Sequence, residues 1–253
     1  MRQADLAPVL PRLGGMARPN GVVIVSETHW AFAGVDGTLA EGRMPSLPRF
    51  VRQTPLLRGL AKLALAFAPI MRRGGATRGL ERLGLLAALL LPFALVPFSQ
   101  RVALAVGFAV TAVLFWLLFR GRTLALHGAE HRAIAAAEAR TLEETWEGKA
   151  RPSRFSLRCG TNFAALAAPI TFAADQIWPL GVALWTPFAV TMLSLALTME
   201  LWQLVQGSSS RVARALLLPG LALQRVTTRE PSLEETRVAL RAVDSVLRRS
   251  AQS

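Results

Sequence analysis

Two of the chain's three histidines, His127 and His131, stand four residues apart in LHGAEHRAIAAAEAR (126–140), with Glu130 beside them. On a helix this spacing puts both imidazoles on one face. Two imidazoles so placed can bind one zinc ion, as helical H-x-x-x-H sites do. The same residues fit His-x-x-Glu-His, where a glutamate next to the ligands acts as a general base toward water. Glu138 follows seven residues after His131, on about the same face, as a third ligand or a carboxylate that orients one. The competing reading is a solvated helical face whose histidines only cap or hydrogen-bond their neighbours.

The elements that must position these residues are apolar. The chain is 52% hydrophobic, with a mean hydropathy of +0.37. A soluble domain rarely needs that much apolar material, so membrane spans are expected. Residues 83–98 and 102–119 are uncharged and only Ser-Gln-Arg separates them, which predicts a transmembrane hairpin beginning near Gly79. A second hairpin is predicted from 160–174 and 177–199, turning at Asp175. Of 29 lysines and arginines, all but Arg101 fall outside these spans and their turns, on one side of a four-span arrangement. Cytoplasmic segments carry the Lys/Arg excess, so both termini and the middle loop are expected in the cytoplasm. This accounts for the net charge of +13 without nucleic acid. The basic residues are spread over three segments, which suits anionic inner-leaflet lipid better than a nucleic-acid patch.

Residues 1–55 read as a small cytoplasmic β-rich domain, with GVVIVS and HWAFAGV as strands and a turn at Asp36-Gly37. Residues 56–78 read as an interfacial amphipathic helix with Arg58 and Lys62 on one face. The segments 79–119 and 160–205 are the two hairpins. Residues 120–159 carry the HGAEH motif as a cytoplasmic helical segment, and 206–253 form a second one. Ser232 and Glu235 there make a capping box. The single cysteine, Cys159, excludes an intramolecular disulfide. No secretory signal peptide is expected in MRQADLAPVLPRLGG.

In this arrangement Cys159, in RCGTNF, opens the third span from the cytoplasmic side, and Glu200, in TMELW, closes the fourth on that side. A helix continuing from the second span places His127 about 12 Å beyond Phe119. Imidazole, carboxylate and thiol donors from three segments would then meet at one membrane face. Simple interfacial anchoring is the alternative for Glu200.

With these blocks the chain resembles the bacterial YqhQ-like family, a domain of unknown function (number 1385) described as predicted metal-dependent enzymes. The resemblance runs from about Gly14 to Pro231. It is carried by GG and NGVV near the start, PLLRG at 55–59, HGAEHRAIAAAE at 127–138, RCGTNF at 158–163, the glutamate of MEL at Glu200, and PGLALQRVTTREP at 219–231. It implies a multi-span membrane protein with a metal site on His127, Glu130, His131, Glu138 and Cys159. Two departures bear on that site. Family members carry a histidine shortly before Arg-Cys-Gly, where this chain has Ser156 and Leu157, and a glutamate where this chain has Asn20.

The expectation is therefore a mainly α membrane protein of about four transmembrane helices in two hairpins, with a small β-meander and cytoplasmic helices, in the bacterial inner membrane. Its function would be that of a metal-dependent hydrolase of unknown substrate. His127 and His131 would ligate, Glu130 would be the base, and Glu138 or Cys159 would complete the shell. Zinc is favoured because imidazole and thiolate are borderline-soft donors. The alternative is a non-enzymatic scaffold or regulator of other membrane proteins. A transporter ranks last, because few ionisable residues lie inside the spans and no inverted repeat beyond two hairpins is evident. Neither a P-loop nor a dinucleotide fingerprint is present.

Overall fold

The computed structural model describes residues 10–71, 121–179 and 185–252, with helical positions at 83, 90, 102, 105–110, 112 and 113. In chain order the described elements are strands β1 (Gly14–Arg18), β2 (Gly21–Val25), β3 (His29–Gly34) and β4 (Leu39–Arg43). Helices follow: α1 (Arg49–Gln53), α2 (Leu57–Ala66), α3 (Ala68–Met71), α4 (Thr123–Glu138), α5 (Leu142–Trp146), α6 (Gly160–Gln176), α7 (Thr186–Gly207), α8 (Arg211–Thr227) and α9 (Leu233–Ala251). The chain divides into two compact units. The first is Met1–Ser46, Gly121–Ser156 and Val226–Ser253, and the second is Leu47–Arg120 and Leu157–Arg225.

In the first unit β1 to β4 form an antiparallel meander in sequence order. Val22 pairs with Ala33 and Ile24 with Ala31, so these four share one face. That face packs under α4 and α9, and its core continues through Leu126, Ala129, Ala133, Val243 and Val246. Alanines on α4 and β3 let the layers approach closely. Between β3 and β4 Gly37 takes φ of +87°, a value that favours glycine. Asp36 Oδ1 accepts there from Thr38 N at 3.0 Å and Thr38 Oγ1 at 2.7 Å. α9 starts at a capping box, with Ser232 Oγ accepting from Glu235 N and Glu235 Oε2 from Ser232 N. Its far end is tied to the sheet through Glu41, which accepts from Ser245 Oγ and Arg249 Nε, both at 2.8 Å. Those two donors hold the Glu41 carboxyl below its usual range.

In the second unit α6 and α7 pack together, and α2 lies on α7. The guanidinium of Arg58 grips Glu200, with Nε at 2.9 Å from Oε1 and Nη2 on Oε2. Glu200 Oε1 also accepts from Leu56 N at 3.1 Å. This holds the start of α2, where Leu56 has φ of +64°, a region costly for a residue with a Cβ. One turn on, Lys62 Nζ donates to Gln203 Oε1 at 2.7 Å. The α2 residues predicted to share a basic face therefore meet polar groups of α7. Leu166, Val205, Ala213 and Leu217 make the small core of α6, α7 and α8. Buried Asn162 donates to Leu157 O at 2.8 Å, and its Oδ1 lies 3.5 Å from Gln224 Nε2.

The expected mainly α, four-span membrane architecture is overturned. Among the described residues one helix, Thr186–Gly207, is long and apolar enough to cross a membrane. The described chain is instead a four-stranded antiparallel sheet with helices. The expected spans at 83–98 and 102–119 lie largely outside the described residues. The expected third span is α6, with 17 residues. At 1.5 Å per residue it is about 25 Å long, short of the roughly 30 Å of bilayer hydrocarbon. Apolar composition alone does not separate a span from a packed helix of that length.

At position 220 a Cβ would stand 2.0 Å from Asn162 Oδ1 and 2.4 Å from Asn162 Cα. The second contact is backbone and cannot swing aside. Gly220→Ala is therefore expected to destabilise the fold by about 1–3 kcal/mol, the usual range for overpacking. A thermal melt unchanged from wild type would show that α6 and α8 do not pack this way.

Candidate functional site

Helix α4 is built from good helix formers, AEHRAIAAAE, and twelve of its sixteen residues are buried. The sheet and α9 cover one side. On the other lie the segments around 152–154 and 227–231, both of the first unit. A helix enclosed this way carries its polar residues indoors, and each needs a partner.

The two histidines find theirs in backbone carbonyls. His127 Nδ1 lies 2.8 Å from Thr227 O, and His131 Nδ1 lies 2.7 Å from Arg154 O. A carbonyl only accepts, so each Nδ1 carries the hydrogen. In the neutral ring each Nε2 is then the unprotonated nitrogen, the one that can accept or ligate. Metal-binding imidazoles are oriented in the same way, by giving their other N–H to a carbonyl or carboxylate. The rings meet edge to face with centroids 4.5 Å apart. His131 Nε2 is buried and has no hydrogen-bond partner. An acceptor enclosed without a donor is costly, and a cation would relieve that cost.

The crossing of α4 by 227–231 depends on Gly128. A Cβ there would stand 2.3 Å from Arg229 O, and Arg229 N donates to Leu124 O at 2.9 Å. The arrangement leaves no room for a side chain.

Glu130 points to the strand side. A Cβ on Gly15 would come within 2.7 Å of Glu130 Cγ, so the glycine of β1 makes the space for this carboxyl. Glu130 is pushed up to about 7, chiefly because burial disfavours its charge; the nearby His127 and the Ala17 N–H it accepts from pull the other way.

Three further residues were expected at the site from sequence. Glu138 is the exposed last residue of α4, about 10 Å along the axis from His131. Cys159 belongs to the second unit, where it caps α6 and its Sγ accepts from Thr161 Oγ1 at 3.2 Å. Glu200 is in the ion pair with Arg58. Of the departures, Asn20 sits in the turn between β1 and β2, with its side-chain oxygen buried and without a hydrogen-bond partner. Four residues around the histidines and Glu130 were not singled out from sequence: Gly15, Gly128, Arg154 and Thr227. Two are glycines and two act through their carbonyls. Their trace in the sequence is the glycine inside HGAEH and the TTREP block.

A carboxyl whose folded pKa is raised favours the folded state most at low pH. With an ordinary value of 4.5 and a folded value of about 7, Glu130 makes stability fall as pH rises from about 4.5 to about 7. The loss is on the order of 3 kcal/mol at most, and is constant above that window. Urea unfolding of metal-free protein across pH 4–8 is expected to show this slope, and Glu130→Gln to flatten it. Equal slopes in both proteins would place the carboxylate in a wetter setting.

Residues 89–249, well over half of the chain, match the family described as protein of unknown function, DUF1385. These residues include the HGAEH, RCGTNF, MEL and TTREP blocks, and not the sheet. The chain is 31% identical over 136 residues to the uncharacterized protein YqhQ of Bacillus subtilis (strain 168), covering 52% of this chain and 42% of the relative. It thus matches less than half the length of that relative. No solved structure matches it. The profile match over most of the chain, which takes in the helix that carries both histidines, makes the protein a member of the DUF1385 family.

Proposed function

We propose that His127 and His131 hold a divalent metal through their Nε2 atoms and that the chain is a metal-dependent hydrolase. The observation that carries this is the pair of Nδ1–carbonyl hydrogen bonds, which leave Nε2 as the unprotonated nitrogen of each ring, that of His131 buried without a partner. Imidazole donors favour zinc over magnesium or calcium. Bound there, the ion supplies Lewis-acid polarisation of the bond to be cleaved. Glu130, with a carboxyl near 7, takes up and returns a proton close to neutral pH. Thr227 and Arg154 fix the imidazole orientation through their carbonyls.

Elemental analysis of protein purified without chelators tests this. Wild type is expected to carry zinc or another transition metal in stoichiometric amount. His127→Ala and His131→Ala are each expected to lose more than the roughly 10–100-fold in affinity that a merely orienting group costs. Glu130→Gln should keep the metal. Cys159→Ser, in parallel, tests the thiol expected in the ligand set from sequence. Wild type without metal, or both histidine variants with unchanged load, would overturn the reading.

A second reading, a scaffold that binds lipid, is supported by the second unit. Besides their small apolar core, its helices bury several small or polar residues and expose large apolar ones. α7 buries Ser194 and Thr198 and exposes Phe188 and Leu204, while α8 buries Gly220 and Gln224 and exposes Val212, Leu216 and Leu223. Arg211, Arg214 and Arg225 are exposed on the same helix, outside that stripe, a pattern that suits an anionic bilayer surface. Vesicles containing phosphatidylglycerol are expected to co-sediment the protein better than phosphatidylcholine alone, and Leu216→Ser with Leu223→Ser to weaken this. Equal recovery with both vesicle types would remove the support.

A further inference from the structure

Beside the histidines, two guanidiniums share one carboxylate. Arg132 follows His131 on α4, and its side chain is only 8% exposed. Its Nε donates to Pro152 O at 3.0 Å and its Nη2 to Glu230 Oε1 at 2.6 Å. Arg154, 25% exposed, donates from Nη1 to Thr228 O at 2.7 Å. Its Nε stands 3.7 Å from Glu230 Oε2, too far for a hydrogen bond. Glu230 offers one oxygen to each arginine and is itself 61% exposed. Two cations, one nearly buried, are thus bridged by one anion that solvent reaches easily.

We propose that Arg132 and Arg154 form a seat for a phosphate group, with Glu230 as its built-in occupant until the phosphate displaces it. The carboxylate leaves one positive charge in excess and reaches Arg154 poorly. A phosphate monoester carries about −1.5 to −2 charge and three acceptor oxygens, so it answers both guanidiniums at once. The planar fork of arginine suits this geometry. The seat adjoins His131 through both arginines, since Arg132 is the next residue after it and Arg154 O takes the His131 Nδ1 hydrogen. As an anion seat it stands alone. That the phosphate belongs to the substrate of the histidine centre rests on the hydrolase reading above.

Calorimetric titration of the full chain with inorganic phosphate and with phenyl phosphate, in the presence of a chelator, tests the seat apart from any metal. Saturable binding of both is expected. Glu230→Gln, which removes the competing charge, should bind about tenfold tighter, and Arg154→Gln at least tenfold weaker. Circular dichroism checks that both variants are folded. A Glu230→Gln protein that binds no tighter than wild type, or no saturable binding in either, overturns the seat. Binding of inorganic phosphate without phenyl phosphate overturns its role for a substrate. His127→Ala with His131→Ala should keep phosphate binding, so a failed metal centre and a failed anion seat give different results.

Discussion

The close crossing of α4 by residues 227–231 is the constraint on which the histidine pair depends. Two backbones approach there to a distance that only glycine at position 128 allows. The bond from Arg229 N to Leu124 O locks the crossing, and Thr227 O is thereby held opposite His127. A backbone carbonyl on such a segment has no rotamers to lose, so it orients an imidazole at less entropic cost than a side chain would. Arg154 O does the same for His131 from a second segment. Both rings are aimed by the main chain, and the helix interior needs no extra side chains to do it.

Burial then sets the chemistry. Inside α4's surroundings a charge is poorly solvated, and the carboxyl of Glu130 rises toward neutrality for that reason. Gly15 contributes by leaving the volume this carboxyl fills, and the Ala17 N–H limits the rise by supporting the charged form. Arg132 is treated differently. It is almost as enclosed, yet its charge is kept by a carbonyl and a carboxylate. One face of one helix therefore holds a neutral-leaning acid and another a hydrogen-bonded cation that shares its carboxylate with Arg154, two residues apart.

Much of the site could be read from the sequence because it depends on side-chain identity at helical spacing. The i, i+4 histidines, the Glu130 between them and the capping box at Ser232 and Glu235 are of this kind, as is the turn at Asp36-Gly37. What escaped reading depends on backbone atoms or on missing side chains. Any residue could supply the carbonyls of Thr227 and Arg154, so their letters say nothing of the role. Gly15 and Gly128 matter for the absence of a Cβ, which becomes visible only when the neighbouring strand and segment are placed. β1 itself, GGMAR, has little β-propensity; it is a strand because β2 offers it an edge.

The four-span expectation failed at a different step, the passage from composition to environment. Hydropathy counts apolar residues without saying which way they face. In the first unit they face inward, and α9 buries Val238, Val243 and Val246. In the second, the helices turn Ser194, Thr198, Asn162 and Gln224 inward and leave Phe172, Phe188, Leu204 and Leu223 outside. Those helices share only a small apolar core of Leu166, Val205, Ala213 and Leu217. Close approach at Gly59 and Gly220, the polar contact of Asn162 with Gln224 and the Arg58–Glu200 pair add to it. One apolar composition thus serves two packing regimes, and only the direction of each side chain tells them apart.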